Sequence, residues 1–343
     1  MTTYTYVAPM LYGALPHHHV ADAMQLLQRC HMPLMVWPQL PQRSFRERSV
    51  VQSMWGFPGV HIDEQERRMF VRRDVAEGAL DQLALDFLQR RDVRPVLTPN
   101  EAAGLFALLP VMNTFAPEIG CKGQMLGPVS LAVQVTDQHQ IPLLASAAFF
   151  EALVQHLCQR AAWQATLLGR TQRPVMICID EPFLDVVNSP FVSIDREELL
   201  LALARVLASI DGQRALAVRS LTAVAGVVDL ACDAIFVNAH ELERNFADAL
   251  PLLHRLWQRG GSIGLGCVPS DDMTDLLGQA RQLVERLRAL CAQHGISLLQ
   301  AGPRLYVMPV ASLGQVSVAQ AEATVLTTCR LAQELDEEVQ RSV

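Results

Sequence analysis

Short apolar runs, many of them rich in β-branched residues, recur along the whole chain and alternate with longer and more polar segments. Nearly continuous hydrophobicity over runs of this length is typical of parallel strands that are covered on both faces. The sequence therefore predicts eight buried strands. They span residues 5–12, 33–39, 118–126, 174–180, 214–220, 234–238, 262–268 and 304–310.

Helical patterns follow most of these runs, at 19–30, 196–210, 241–260, 271–295 and 317–340. Strands that alternate with helices predict an α/β fold, and eight such units predict a single (β/α)8 TIM barrel over residues 1–343. The alternative is a doubly wound open sheet, which usually carries a glycine-rich turn after its first strand. The segment YGALPHHH after the first run has no such turn, so we favour the barrel.

The extra length of the chain lies between the second and third predicted strands. Two alternating segments there, GVHID and RMFVRR, predict a β-hairpin near 59–73. Helical stretches at 75–91 and 100–109 follow the hairpin. We therefore interpret residues 42–115 as an elaboration of the barrel after its second strand, and not as an independent domain.

The amino-acid composition of the chain excludes several classes of protein. Half of the residues are hydrophobic and 18% are charged, which excludes a disordered chain, and the net charge of −7 argues against a nucleic-acid partner. No apolar run is long enough to cross a membrane. The eight cysteines are scattered without a CxxC pair, as in a cytoplasmic protein with reduced thiols. We expect a cytoplasmic barrel that acts on a small molecule, with its oligomeric state left open.

The active site of a barrel of this kind lies at the carboxyl ends of its strands. Asp180 and Glu181 end the fourth predicted strand and are followed by Pro182. Adjacent strand residues point in opposite directions, so one carboxylate can face the mouth and the other the wall. A carboxylate at the mouth can hold a substrate ammonium group or act as a base. The alternative is a helix cap or an ion pair with a neighbouring arginine.

Two cations, Lys122 and Arg219, also lie near strand ends, and Lys122 is the only lysine of the chain. Either can clamp a carboxylate or phosphate group, or else pair with Asp180 or Glu181 across the mouth. We take Asp180, Glu181 and Arg219 as candidate catalytic residues. The candidate substrate-binding residues are His17, Trp37, Gln39, Lys122, Gln124, Asn238, His240 and Cys267.

Five segments of the chain carry recognisable motifs: GALPHHH (13–19), WPQLPQRSFRERSVVQ (37–52), KGQMLGPVSLA (122–132), ICIDEPFL (177–184) and GGSIGLGCVPS (260–270). They resemble, in the same order, segments of barrels related to cobalamin-independent methionine synthase. The similarity runs from about residue 6 to residue 340, and the same superfamily includes uroporphyrinogen decarboxylase. The resemblance implies a single (β/α)8 barrel with an amino-acid-like or folate-like ligand.

The methyltransferases of this family hold zinc through a His-x-Cys pair, an acidic residue and a further cysteine, and the metal converts a substrate thiol into a thiolate. The corresponding positions in this sequence fall on Ala217, Arg219, Asn238 and Ala311. None of these residues offers a thiolate, an imidazole or a carboxylate. The resemblance therefore implies a divergent member that has lost the zinc site, and we expect no metal and no bound cofactor there. A relocated site formed by His17, His240 and Cys267 is the alternative.

The sequence is compatible with three functions. The first is a divergent methyltransferase, with a methyl donor carried on a folate or a corrinoid. The second is a metal-free lyase in the manner of uroporphyrinogen decarboxylase, in which Arg219 and Lys122 hold substrate carboxylates and Asp180 stabilises positive charge. The third is a non-catalytic relative that binds a metabolite or has a corrinoid or methyltransferase protein as its partner. For each of them we expect Arg219 and Asp180 to face one cavity, with His17, Lys122, Gln124 and His240 on its wall.

Overall fold

All eight predicted strands are present in a computed structural model, which describes residues 6–89, 97–189, 194–222, 226–270 and 274–342. Each observed strand lies within one predicted run or differs from it by one residue. The first two are much shorter than predicted, because the residues after them leave the sheet and form the rim of the barrel. The strands are β1 Val7–Pro9, β2 Leu34–Val36, β3 Gly120–Leu126, β4 Val175–Glu181, β5 Gln213–Val218, β6 Ala234–Asn238, β7 Ser262–Val268 and β8 Leu305–Pro309.

The strands form one parallel sheet in the order β1-β8-β7-β6-β5-β4-β3-β2. Its two ends are joined beyond the strands by a parallel bridge between Ala14 and Gln39. There the Leu15 amide donates to the Gln39 carbonyl at 2.9 Å, and the Gln39 amide donates to the Gly13 carbonyl at 3.0 Å. The predicted (β/α)8 barrel is therefore confirmed, and the doubly wound open sheet is wrong.

The predicted helices are present, although the pattern at 241–260 is divided into two helices at Asn245. The ends predicted at residues 91 and 271 lie outside the described residues. The helices are α1 Val20–Gln28, α2 Ser49–Met54, α3 Arg73–Leu88, α4 Ala103–Val111, α5 Pro128–Gln134, α6 Ala147–Gly169, α7 Arg196–Ala208, α8 Ala239–Arg244, α9 Phe246–Gln258, α10 Leu276–Ala292 and α11 Val318–Ser342. Within the described ranges, no helix combines the length and the hydrophobicity needed to cross a membrane.

Helix α6 was not predicted from the sequence, although its 23 residues make it one of the longer helices. Its buried face carries His156, Arg160 and Gln164 at four-residue spacing. These polar residues interrupt the apolar stripe by which an amphipathic helix is recognised. The short helices α2 and α5 were also missed.

The segment after β2 contains the predicted hairpin, with antiparallel strands Val60–Asp63 and Arg68–Val71. Val71 ties this hairpin to the loop that follows α5. Its amide donates to the Thr136 carbonyl at 2.9 Å, and its carbonyl accepts from the Gln138 amide at 3.1 Å. The interpretation of residues 42–115 as an elaboration of the barrel stays a prediction.

The last helix is attached to the first strand by one buried carboxylate. Asp336 in α11 accepts hydrogen bonds at its Oδ1 atom from the amides of Tyr6, at 2.7 Å, and Val7, at 2.9 Å. Its Oδ2 atom accepts from the Gln340 side chain at 2.6 Å. The carboxylate thus satisfies two backbone donors near the start of β1 and positions α11 against the sheet.

We expect Asp336→Ala to lower the free energy of unfolding by about 2–4 kcal/mol, because the buried Val7 amide and the partly buried Tyr6 amide would lose their acceptor. Asp336→Asn keeps an acceptor oxygen and should cost less. The measurement is urea unfolding followed by circular dichroism. Glu337→Ala, on the exposed face of the same helix, is the matched control and should change stability little. Equal stability of the Asp336→Ala and Glu337→Ala proteins would contradict this role.

Candidate functional site

A cavity of about 590 Å³ opens at the carboxyl ends of the strands. This mouth cavity lies where the active sites of (β/α)8 barrels are found. Its walls come from the loops after β1, β2 and β8, from α2 and α5, and from the ends of β4, β5 and β6. The polar and charged side chains of its lining are Tyr12, Arg48, Ser49, Gln134, Asp180, Arg219, Asn238, Ser312 and Gln315.

Asp180 lies at the end of β4 and lines the mouth cavity with a half-buried side chain. Within the described part of the chain, its carboxylate has no hydrogen bond and no ion pair. Burial raises the pKa of Asp180 to about 6, and the positive charge of Lys122 opposes this rise. The pKa of Tyr12 is raised by burial and further by the neighbouring Asp180 charge. A carboxyl group with such a pKa can bind an ammonium group or exchange a proton near neutral pH.

Two arginines share the cavity with Asp180. Arg48, which precedes α2, is half-buried and has no carboxylate partner among the described residues; its guanidinium lies 5.6 Å from the centroid of the Phe45 ring. Arg219 follows β5, is 63% exposed and pairs with Glu241 at 3.3 Å. Glu241 also pairs with Arg244 at 3.3 Å. Arg219 and Asp180 therefore line one cavity, as expected. The charge of Arg48 is less neutralised than that of Arg219, because no described carboxylate pairs with it.

The positions that the resemblance assigns to the zinc ligands all line the mouth cavity: Ala217, Arg219, Asn238 and Ala311. Alanine and arginine side chains do not bind zinc. The Oδ1 atom of Asn238 accepts hydrogen bonds from the backbone amides of His240, at 2.9 Å, and Glu241, at 3.3 Å, and caps α8. The residues present at these positions therefore do not fit the family's zinc.

Glu181 points away from the cavity and is fully buried. Its Oε1 atom accepts from the Val129 amide at 3.0 Å, and its Oε2 atom accepts from the Ser130 amide at 2.7 Å. Burial raises the pKa of Glu181 to about 7, and these hydrogen bonds oppose the rise. Gly127 makes room for the carboxylate, because a Cβ atom there would lie 2.2 Å from Oε1. Glu181 therefore caps the start of α5, and the candidate catalytic role does not suit this position.

Lys122 and Gln124 lie inside the barrel and do not line the cavity, which corrects the expectation for both. The Lys122 Nζ atom donates to the Tyr12 carbonyl at 2.8 Å and to Gln124 Oε1 at 3.4 Å. Burial lowers the pKa of Lys122. The Gln124 side chain donates to the Trp37 carbonyl at 2.9 Å, and Trp37 Nε1 donates to the Gln164 side chain at 2.9 Å. These contacts hold the loops after β1 and β2 above the barrel interior.

The other candidate binding residues are also outside the lining of the mouth cavity. Gln39 is buried and donates to Gln52 Oε1 at 2.6 Å. Cys267 is buried inside β7, and burial raises the pKa of its thiol to about 12. His240 is exposed at the start of α8, and His17 lies in a separate hollow between α1 and α11. In the described ranges no three His, Cys, Asp or Glu side chains are grouped to hold a metal, so the proposed set of His17, His240 and Cys267 does not form.

Sequence reasoning missed Tyr12 and Arg48. Tyr12 directly precedes the Gly13 turn, and its place at the end of the first predicted strand was a usable signal. Arg48 is separated from β2 by a loop and a short 3₁₀ helix at Phe45–Glu47, so no strand end indicated it. The Ser49 side chain enters the cavity from the same turn.

Comparisons with known proteins agree with the barrel fold. A methyltransferase from Methanosarcina mazei shares 13% sequence identity, with a TM-score of 0.53 over 95% of this chain and 94% of that chain. A protein from Listeria monocytogenes, provisionally described as a vitamin-B12-independent methionine synthase, shares 12% identity, with a TM-score of 0.49 over 96% of this chain and 98% of that chain. No family profile matches the chain, and no curated protein is similar to it in sequence. At 13% identity the likeness to the Methanosarcina mazei protein shows the fold alone.

We expect Glu181→Ala to lower the free energy of unfolding by about 2–4 kcal/mol, since the Val129 and Ser130 amides would be left without an acceptor in the interior. Gly127→Ala should also destabilise the protein, because its Cβ atom would displace the carboxylate. Urea unfolding measures both. Asp185→Ala, an exposed change in the following 3₁₀ helix, is the control and should have little effect. A Glu181→Ala protein as stable as this control would refute the capping role.

The raised pKa of Asp180 predicts a dependence of stability on pH. The protonated carboxyl is favoured in the folded state, so its contribution is fully present below the ordinary value of 3.8 and is lost as the pH rises through about 6. Asp180→Asn removes this titration. We therefore expect the variant to gain stability relative to the unchanged protein between about pH 4 and pH 6.5. Urea unfolding of both proteins across this range tests the expectation, and a difference that is constant with pH would contradict it.

Proposed function

We propose that the protein is a methyltransferase-like barrel whose mouth cavity binds a small amino-acid-like or anionic metabolite without the family's zinc. One observation carries the proposal. An unpaired carboxylate, Asp180, and an arginine without a carboxylate partner in the described structure, Arg48, line the same cavity of about 590 Å³. Such a pair is suited to a ligand that carries an ammonium group and an acid group.

The energetics of burial support this choice of ligand. A charge that is partly withdrawn from water loses hydration, and an opposite charge on a ligand restores part of that loss. The ligand ammonium would lie by Asp180, and its acid group would lie by Arg48, whose planar guanidinium can bind a carboxylate through two hydrogen bonds. Arg219 would contribute less, because it is mostly exposed and already pairs with Glu241.

A methyl transfer at this site would need an acceptor that is activated without zinc. Asp180 supports this possibility. Its pKa of about 6 lets its carboxylate take a proton from the group that is to be methylated near neutral pH. The methyl donor would be carried on a folate or a corrinoid, in the latter case supplied by a partner protein. The methyltransferase from Methanosarcina mazei shows that the same fold occurs in a methyltransferase.

A metal-free lyase is the second candidate, and the presence of both Arg48 and Arg219 in the lining of the cavity favours it. Two arginines can hold two substrate carboxylates, while Asp180 stabilises positive charge that develops between them. The reaction products separate the two candidates. A methyltransferase forms a methylated acceptor, whereas a decarboxylating lyase releases CO₂. Binding of the ligand without turnover would indicate the non-catalytic relative.

Calorimetric titration with L-homocysteine, L-methionine and L-glutamate tests the binding proposal. Each ligand should bind more tightly than the matched amine without its carboxylate and the matched acid without its ammonium group. Arg48→Ala should weaken binding by one to two decades, since a hydrogen bond to a charged group contributes about 1.5–3 kcal/mol and about 1.4 kcal/mol is tenfold. Asp180→Asn should abolish the preference for ligands that carry an ammonium group.

Arg219→Ala should weaken binding less than tenfold, because its charge is shared with Glu241 and screened by solvent. Arg244→Ala is the matched control, since Arg244 also pairs with Glu241 but does not line the cavity. Binding of zwitterions that is unaffected by both Arg48→Ala and Asp180→Asn would place the ligand elsewhere and overturn the proposal.

A further inference from the structure

A second hollow, of about 560 Å³, lies outside the barrel rim where helices α1 and α11 begin. We call it the α1–α11 hollow. Its ionisable lining includes His17, His18, His19, Asp22 and Glu322, and it shares no lining residue with the mouth cavity. Arg29 is the basic residue in the lining, so with neutral histidines the two carboxylates give the hollow a net negative charge. This combination of imidazoles and carboxylates is suited to a divalent cation.

His17 is the unusual member of the hollow. Its side chain is 2% exposed, and both ring nitrogens lack a hydrogen-bond partner in the described structure. Buried polar groups are almost always hydrogen-bonded, because an unsatisfied one costs free energy. The charged group near the ring is the Glu322 carboxylate, with 3.5 Å between Nε2 and Oε1. A bound ligand between these two side chains would give Nε2 a partner.

The distance between His17 Nε2 and Glu322 Oε1 indicates which kind of ligand fits between them. At 3.5 Å, Nε2 and Oε1 make no hydrogen bond. Two ligand atoms that each lie about 2.0–2.1 Å from one tetrahedral metal ion are about 3.4 Å apart. The observed distance matches this value. Imidazole nitrogen and carboxylate oxygen are both common ligands of Zn²⁺.

We propose that the α1–α11 hollow is a binding site for a divalent transition-metal ion such as Zn²⁺, held by His17 Nε2 and Glu322 Oε1. No three metal-binding side chains are already grouped around one point in the described chain. The third protein ligand therefore comes from His18, His19 or Asp22, whose exposed side chains can change rotamer without repacking the core. Water completes the coordination.

A metal in this position would join the first and the last β/α units of the barrel. His17 belongs to the loop after β1, and Glu322 belongs to the first turns of α11. The same loop carries Tyr12 and Ala14, which line the mouth cavity, and Ala14 forms the bridge that joins the ends of the sheet. The site would thus stabilise the rim, and it is independent of the function proposed for the mouth.

Titration of the metal-free protein with Zn²⁺, in competition with a chromophoric chelator, tests the proposal. We expect one ion per chain and a higher melting temperature with Zn²⁺, because the ion binds the folded state. Glu322→Gln and His17→Ala should each weaken Zn²⁺ binding at least tenfold. Glu322 is 44% exposed, so its variant should fold even if replacement of the buried His17 disturbs the loop.

Two controls separate this site from binding at exposed histidines. His254→Ala removes an exposed histidine of α9 and should leave Zn²⁺ binding unchanged. Asp180→Asn alters the mouth cavity and should also leave it unchanged, so the outcome does not depend on the function proposed there. Binding that is lost in a His18→Ala, His19→Ala double variant but kept in His17→Ala and Glu322→Gln would be surface chelation and would overturn the proposal. The absence of stoichiometric Zn²⁺ binding would also overturn the proposal.

Discussion

Two neighbouring carboxyl groups at the end of β4 point in opposite directions, and the arrangement of the barrel mouth depends on this alternation. Glu181 points outward and accepts the amides of Val129 and Ser130, which fixes the start of α5 beside the strand. Asp180 points inward and remains without a partner in the described structure. Because the pleat of a strand forces this alternation, one residue can be satisfied by the fold while the next is left for a ligand.

Beneath the mouth, a buried polar network connects the first three strands. Lys122 donates to the Tyr12 carbonyl, Gln124 donates to the Trp37 carbonyl, and Gln164 accepts from the Trp37 indole. These hydrogen bonds satisfy backbone groups of loops that leave the sheet early, after the short strands β1 and β2. Lys122 and Gln124 therefore support the rim from inside the barrel.

The positions that correspond to the family's zinc ligands surround one cavity, although none of their side chains suits zinc. Arg219, at one of these positions, is mostly exposed and forms an ion pair with Glu241. Asp180 and Arg48 line the same cavity, and neither has an ion-pair partner among the described residues.

The sequence by itself determined the eight strands, their alternation with helices, the hairpin and the prominence of Asp180, because buried strands are read directly from continuous apolar runs. It also indicated that Glu181 and Asp180 would face different ways. Only the tertiary structure decided that Lys122, Gln124 and Cys267 are interior residues, and that Arg48 reaches the mouth from a loop far along the chain from β4. The reason is physical. Strand periodicity is a local property of the chain, whereas the partner of a charged side chain is set by loops that converge from distant segments. His17 is the clearest case, since only the approach of α11 brings Glu322 to a ring that the sequence placed at the mouth.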